Sequence, residues 1–184
     1  SLVAFITNQS RFITVNSIGL ERLKSGWDES VKGMEFASNF VRNNAKIDSP
    51  ALMSSSSLMV ALAYYGHSRN FQFSKEEAEL LRRWCLLANA KGRYSRGSSE
   101  TVLDQDLAII RDGGSVTDLV DKLRQQVGLL KVSPEELEGR NQRSALFKTM
   151  FLAFRAAGAK DWKSNLSIAF DHSGVQHKLQ FHHI

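Results

Sequence analysis

The sequence predicts a mainly α-helical protein, a multi-helix bundle that ends in a short C-terminal β-hairpin stub. Three observations predict it. Only two prolines, Pro50 and Pro134, occur in 184 residues, so few positions forbid a helix. Apolar residues recur at helical spacing through most of the chain, with serine-led starts and glycine stops between them. After Trp162 the period changes from helical to alternating. The expected division is a helical domain over 1–165 and a β-stub over 166–184. That length suffices for one domain with its own core, and the 42% hydrophobic and 23% charged fractions are those of an ordinary globular protein.

The first clear helix is expected over 28–44, where Val31, Met34, Ala37, Phe40 and Val41 share a face. The loop I-D-S-P-A-L-M-S-S-S-S follows, its serine run too short for a linker. The last of those serines, Ser57, is placed to cap L-M-V-A-L-A-Y-Y, a stretch apolar all round and therefore buried. Ser74 opens a capping box, S-K-E-E, in which Ser74 accepts from the Glu77 N–H and the Glu77 side chain reaches back. That helix runs through Leu80, Leu81, Trp84, Leu87 and Ala88 to about Ala90, and Lys91 and Gly92 stop it. A helix over 100–111 closes at Gly113 and Gly114. S-V-T-D at Ser115 starts a shorter one that ends near Val127 and Gly128. S-P-E-E at Ser133 combines a capping box with proline at the first helical position. The most apolar helix is S-A-L-F-K-T-M-F-L-A-F-R-A-A-G, ended by Gly158. Leu146, Met150 and Phe154 lie on one face, widened by Phe147 and Phe151, which is a core stripe and not a cofactor box. The last residues read as two short strands joined at 171–174.

Composition excludes several classes. No apolar run reaches the roughly 18 residues of a membrane span, and the opening S-L-V-A-F-I-T lacks the marks of a signal peptide. A single cysteine, Cys85, excludes an internal disulfide and a cysteine-based zinc cluster. Its setting, L-L-R-R-W-C-L-L, reads as a small buried hydrophobe and not as a nucleophile. These features point to the cytoplasm. The net charge of +5 and the pI of about 9.5 permit contact with a polyanion without establishing it. The chain opens in mid-pattern without methionine, so it is expected to be a piece of a larger protein.

The chemistry-bearing residues concentrate in G-R-Y-S-R-G-S-S-E-T-V-L-D-Q-D-L, residues 92–107. One reading is a basic loop, with Arg93 and Arg96 forked onto phosphates beside serine hydroxyls and a helix N-terminus. The other is a self-satisfying polar loop. There Ser98 or Ser99 caps the next helix, Glu100 sits in its positive first turn, and Arg93 pairs with Asp104 or Asp106 beside Tyr94. Spacing alone favours the second. Asp104 and Asp106 are two apart, hence on different sides of a helix, and make a poor catalytic or metal pair. His67 falls in a G-H-S-R-N loop and reads as solvated, and His172 falls in a turn. His177, His182 and His183 fall on the final strand. Adjacent strand residues face opposite ways, so one of His182 and His183 can hold a metal while the other faces a substrate.

R-Y-S-R-G-S-S-E-T-V-L-D-Q-D-L, then G-A-K-D-W at 158–162, then Q-F-H-H-I, resemble a large bacterial family. Its members join an N-terminal ParB-like, nucleotide-handling domain to a C-terminal HNH-type nuclease module through a helical region. Modification-dependent restriction endonucleases of the GmrSD type and related phage-defence proteins belong to it. R-F-I-T-V-N-S and R-N-N-A-K-I-D-S-P are similar to the helical region. The resemblance implies a helical spacer of a DNA endonuclease, with His182 as a metal ligand and His183 as the general base of a ββα-metal module. It implies a Mg²⁺-class ion in the intact protein, with none expected on this stretch alone, where the rest of the module and the D-G-Q-Q-R-type motif are absent. DNA is then the expected partner, met by Arg93, Arg96, Lys148, Arg155, Lys160 and Lys163, with no membrane. The rival expectation is a non-catalytic helical interaction module, its apolar helices forming a homodimer.

Overall fold

The computed structural model describes Phe5 and residues 19–141, 143–162 and 164–168. Seven α-helices follow one another among them: α1 (Leu20–Asn43), α2 (Ser57–Ser68), α3 (Lys75–Ala90), α4 (Ser99–Arg111), α5 (Val116–Val127), α6 (Pro134–Leu137) and α7 (Ala145–Ala156). Short 3₁₀ turns lie at Pro50–Leu52 and Arg93–Ser95. The chain is mainly helical, as its periodicity predicts. The described residues hold no sheet, only an isolated antiparallel bridge between Lys160 and Ser167. The two expected strands and their turn lie, beyond residue 168, outside the described residues.

Serine caps set most helix starts. Ser74 Oγ accepts the Glu77 N–H at 3.1 Å, and Ser144 Oγ accepts that of Phe147 at 3.2 Å. Ser98 accepts from Thr101, and Ser115 forms a complete box with Asp118, whose carboxylate takes the Ser115 N–H at 2.7 Å. The Ser74 box is only half made. Glu77 turns instead to Tyr65, whose hydroxyl donates to it at 2.6 Å, with Arg69 at 3.5 Å.

Several expectations are corrected. α1 begins at Leu20 rather than at 28, because its buried stripe starts with small residues (Gly26, Ser30, Gly33) that hydrophobic periodicity does not register. Ser57 is not the cap of α2. Ser56 holds that position without a side-chain bond, and Ser55 Oγ accepts the Ser57 N–H at 3.2 Å. The strong start signal at Ser133 yields a single turn, α6, with no side-chain cap and no buried residue, so no apolar face extends it along the core. Phe154 is 51% exposed, and α7 buries Leu146, Phe151 and Leu152 instead. His67 lies half-buried in the last turn of α2, not in a solvated loop.

α2 and α3 make the centre. α2 packs on α1, α3 and α4, while α3 also meets α5 and α7. α2 is buried almost all round, through Leu58, Ala61, Leu62, Ala63, Tyr64, Tyr65 and Gly66. Small residues let α1 come close: a Cβ on Gly66 would run into the Phe36 ring. Trp84, Leu81 and Cys85 of α3 are wholly buried with Leu107, Leu119 and Leu123, each large apolar side chain contributing about 1.5–3 kcal/mol. Burial pushes the Cys85 thiol up to about 12, so it is no nucleophile at neutral pH. No helix among the described residues is long and apolar enough to cross a membrane.

Candidate functional site

The R-Y-S block folds inward. α3 ends at Ala90, Gly92 takes a left-handed backbone (φ 62), and the Arg93–Ser95 turn presses onto α4 and α5. Arg93 is 1% exposed, Tyr94 3% and Asp106 0%. Asp106 is there because α4 buries Leu103, Asp106, Leu107 and Ile110 on one face. The Arg93 guanidinium forks onto that carboxylate, Nε donating to Oδ2 at 2.6 Å and Nη2 to Oδ1. Its Nη1 donates to Gln126 Oε1 at 2.9 Å, and Gln126 Nε2 donates back to the Arg93 carbonyl at 3.1 Å. The Tyr94 hydroxyl donates to Asp106 Oδ2 at 2.6 Å. One carboxylate therefore takes three donors in a dry setting. Burial, then the Asp106 charge, holds the Tyr94 hydroxyl well above its ordinary pKa. At Arg93 burial works against the charge, but bonds to Asp106 outweigh it and the pKa is raised.

Of the two sequence readings of this loop, the geometry realises the self-satisfying one. Arg93 cannot offer its guanidinium to a phosphate without opening the core, which corrects its assignment as a DNA contact. Its partner is Asp106. Asp104 is half-buried on a different side of α4, as two-residue spacing requires. Ser98 is the cap, Ser99 is the first helical residue, and Glu100 lies exposed in the first turn.

A second layer of polar contacts fixes the loops beside the fork, and spacing did not reveal it. Asn89, wholly buried, donates to the Leu52 carbonyl at 3.1 Å and accepts the Ser54 N–H at 2.7 Å. Ser95 Oγ donates to the Ser54 carbonyl at 2.9 Å. Lys91, 5% exposed, reaches Glu136 at 2.8 Å and the Lys131 carbonyl at 3.0 Å. The available signal was Asn89 itself, an amide inside the apolar run L-L-A-N-A, where a buried polar group must find partners.

The remaining basic candidates divide between held and exposed side chains. Lys148 donates to the Met53 carbonyl at 2.7 Å. Arg155 donates to Asp48 at 2.6 Å and to the Lys46 carbonyl. Arg96 and Lys160 are exposed. Lys163, His182 and His183 lie outside the described residues. Among the described residues no three His, Cys, Asp or Glu side chains gather around a point a metal ion could take. Comparison with family models, with curated proteins and with solved structures found no match for this chain.

Proposed function

We propose that this chain is a helical scaffold of a DNA endonuclease of the modification-dependent restriction or phage-defence type. The observation that supports it is the fate of the R-Y-S…L-D-Q-D-L block. The most distinctive polar residues of the resemblance, Arg93, Tyr94 and Asp106, form a buried cross-link with their hydrogen-bonding groups turned on one another. A motif used in that way supports a spacer, not a catalytic centre, and leaves the chemistry to other parts of the protein. On this reading the chemistry falls to the H-H-I stretch, with His182 as metal ligand and His183 as general base. A Mg²⁺-class ion would there neutralise charge on the phosphodiester. Of the candidate contacts, Arg96 and Lys160 are the exposed cations left to meet DNA, and a cytoplasmic location accords with that role. The test uses a longer protein carrying this segment. Mg²⁺-dependent DNA cleavage is expected, with loss of turnover in His183→Ala; cleavage at the wild-type rate in that variant would sink the assignment.

One observation favours the rival, a non-catalytic dimerisation module. Leu20, Trp27 and Val31 lie on one face of α1 and are 65%, 60% and 39% exposed. Sedimentation velocity distinguishes the two: a scaffold stays monomeric, whereas a dimer that Trp27→Glu dissociates supports the rival.

A further inference from the structure

The turn that follows α7 carries a side chain that neither capping nor core packing explains. Ile168 donates its N–H to the Ala159 carbonyl at 3.2 Å, Asp161 to Leu166 at 2.7 Å, and Asn165 to Asp161 at 2.9 Å. The Asp161 carboxylate accepts both the N–H and the hydroxyl of Ser164, each at 2.7 Å. Asn165 supplies the left-handed residue (φ 56), and Ile168 packs against the core. These bonds fix the turn to the end of α7. On it stands Trp162, 101% exposed, with Phe154 at 51% and Leu166 at 58%. Tryptophan is among the side chains most buried on average, so a rigidly presented, fully exposed indole calls for a partner.

The surrounding charge says which partner. Lys160 is exposed two residues before the indole. Lys46, also exposed, is tied to the last turn of α7 because Arg155 donates to its carbonyl. Arg155 itself is neutralised by Asp48 at 2.6 Å. Neither Lys46 nor Lys160 has a carboxylate within ion-pair distance among the described residues. A second copy of this chain would bring the same cations against these. Aromatic faces beside lysines that no described carboxylate pairs fit a polyanion that carries flat apolar faces of its own. We infer that this end of the molecule binds single-stranded nucleic acid, Trp162 stacking on an unpaired base while Lys160 and Lys46 meet the flanking phosphates. The inference deepens, and rests on, the reading of the chain as part of a DNA-acting protein.

The test titrates the 184-residue chain with a labelled single-stranded oligonucleotide and with an abasic strand of equal length, following anisotropy and indole emission. The expected result is quenched emission with the base-bearing strand and roughly tenfold weaker binding by Trp162→Ala. The abasic strand should bind the wild type as weakly as the base-bearing strand binds the variant. Trp27→Phe should leave the quenching in place, and Trp162→Ala should melt at the wild-type temperature. Salt-sensitive binding that ignores both the variant and the missing bases overturns the stacking and leaves the DNA-acting reading standing. No binding at any salt concentration overturns the inference, while the DNA-acting reading stands or falls on the His183→Ala cleavage test. A lowered melting temperature in Trp162→Ala, or self-association that this variant abolishes, assigns the indole to a protein contact and overturns the inference.

Discussion

Asp106 has no open side. Two Arg93 nitrogens and the Tyr94 hydroxyl converge on its two oxygens, inside a face otherwise made of leucine and isoleucine. Breaking such a pair costs more than the pair contributes, because the survivor is left charged and dry. Asp106→Asn should therefore destabilise the protein by about 3–5 kcal/mol in urea unfolding. Tyr94→Phe, which removes one donor to the carboxylate while the ion pair persists, should cost less, about 1.5–3 kcal/mol. An Asp106→Asn variant as stable as Tyr94→Phe would mean the fork contributes little. The partnership of Arg93 with an aspartate was legible at this scale, since a fork needs a carboxylate and the loop supplies two. Which aspartate was not legible, because either lies within reach of the loop. The choice is made by the face of α4 that the other helices bury.

At the scale of elements, the capped starts were more legible than the extents, for a physical reason. A cap is local chemistry within four residues, so Ser74, Ser98 and Ser115 could be weighed from the sequence. A helix length depends on what the helix packs against. The Pro134 turn has a sound start and no apolar face, so it stops; α1 outruns its apolar stripe because glycine and serine form its contact. The Ser115 box carries a pH signature. Bonds from the Ser115 side chain, then its backbone, hold the Asp118 carboxyl below the ordinary carboxylate range. A group whose folded pKa is depressed contributes stability that is present above the unfolded value, near 3.9, and lost as pH falls through the folded value. Wild type should therefore exceed Asp118→Asn in stability at neutral pH. The gap should close between about pH 5 and pH 2 in urea titrations. A gap that stayed constant with pH would show that the carboxylate charge plays no part in the cap.

For the whole molecule, the charge of +5 was legible, but its distribution was not. Spacing along a chain cannot tell an arginine on the surface from one inside, and the resemblance marks a block without marking which of its faces is wet. The structure divides the expected phosphate contacts. Arg93 is inside, Lys148 and Arg155 are held by carbonyls and Asp48, and Arg96 and Lys160 are exposed. With Lys46 added, the molecule offers three exposed cations among those named. Counterion release turns that into a measurable slope. For duplex DNA the logarithm of affinity falls with the logarithm of salt by about 0.9 for each phosphate neutralised, so engagement of these three alone gives a slope of about −3. Between 50 and 200 mM salt that is a loss of about fortyfold, whereas six engaged cations would cost over a thousandfold. Arg96→Ala and Lys160→Ala should each flatten the slope by about one without lowering the melting temperature. Arg93→Ala should instead lower the melting temperature and leave the slope of the remaining folded protein unchanged. A slope near −5 would mean that further exposed cations, such as Lys32, Arg42 or Lys75, also meet phosphates, or that Lys148 and Arg155 release the carbonyls and Asp48 they now hold.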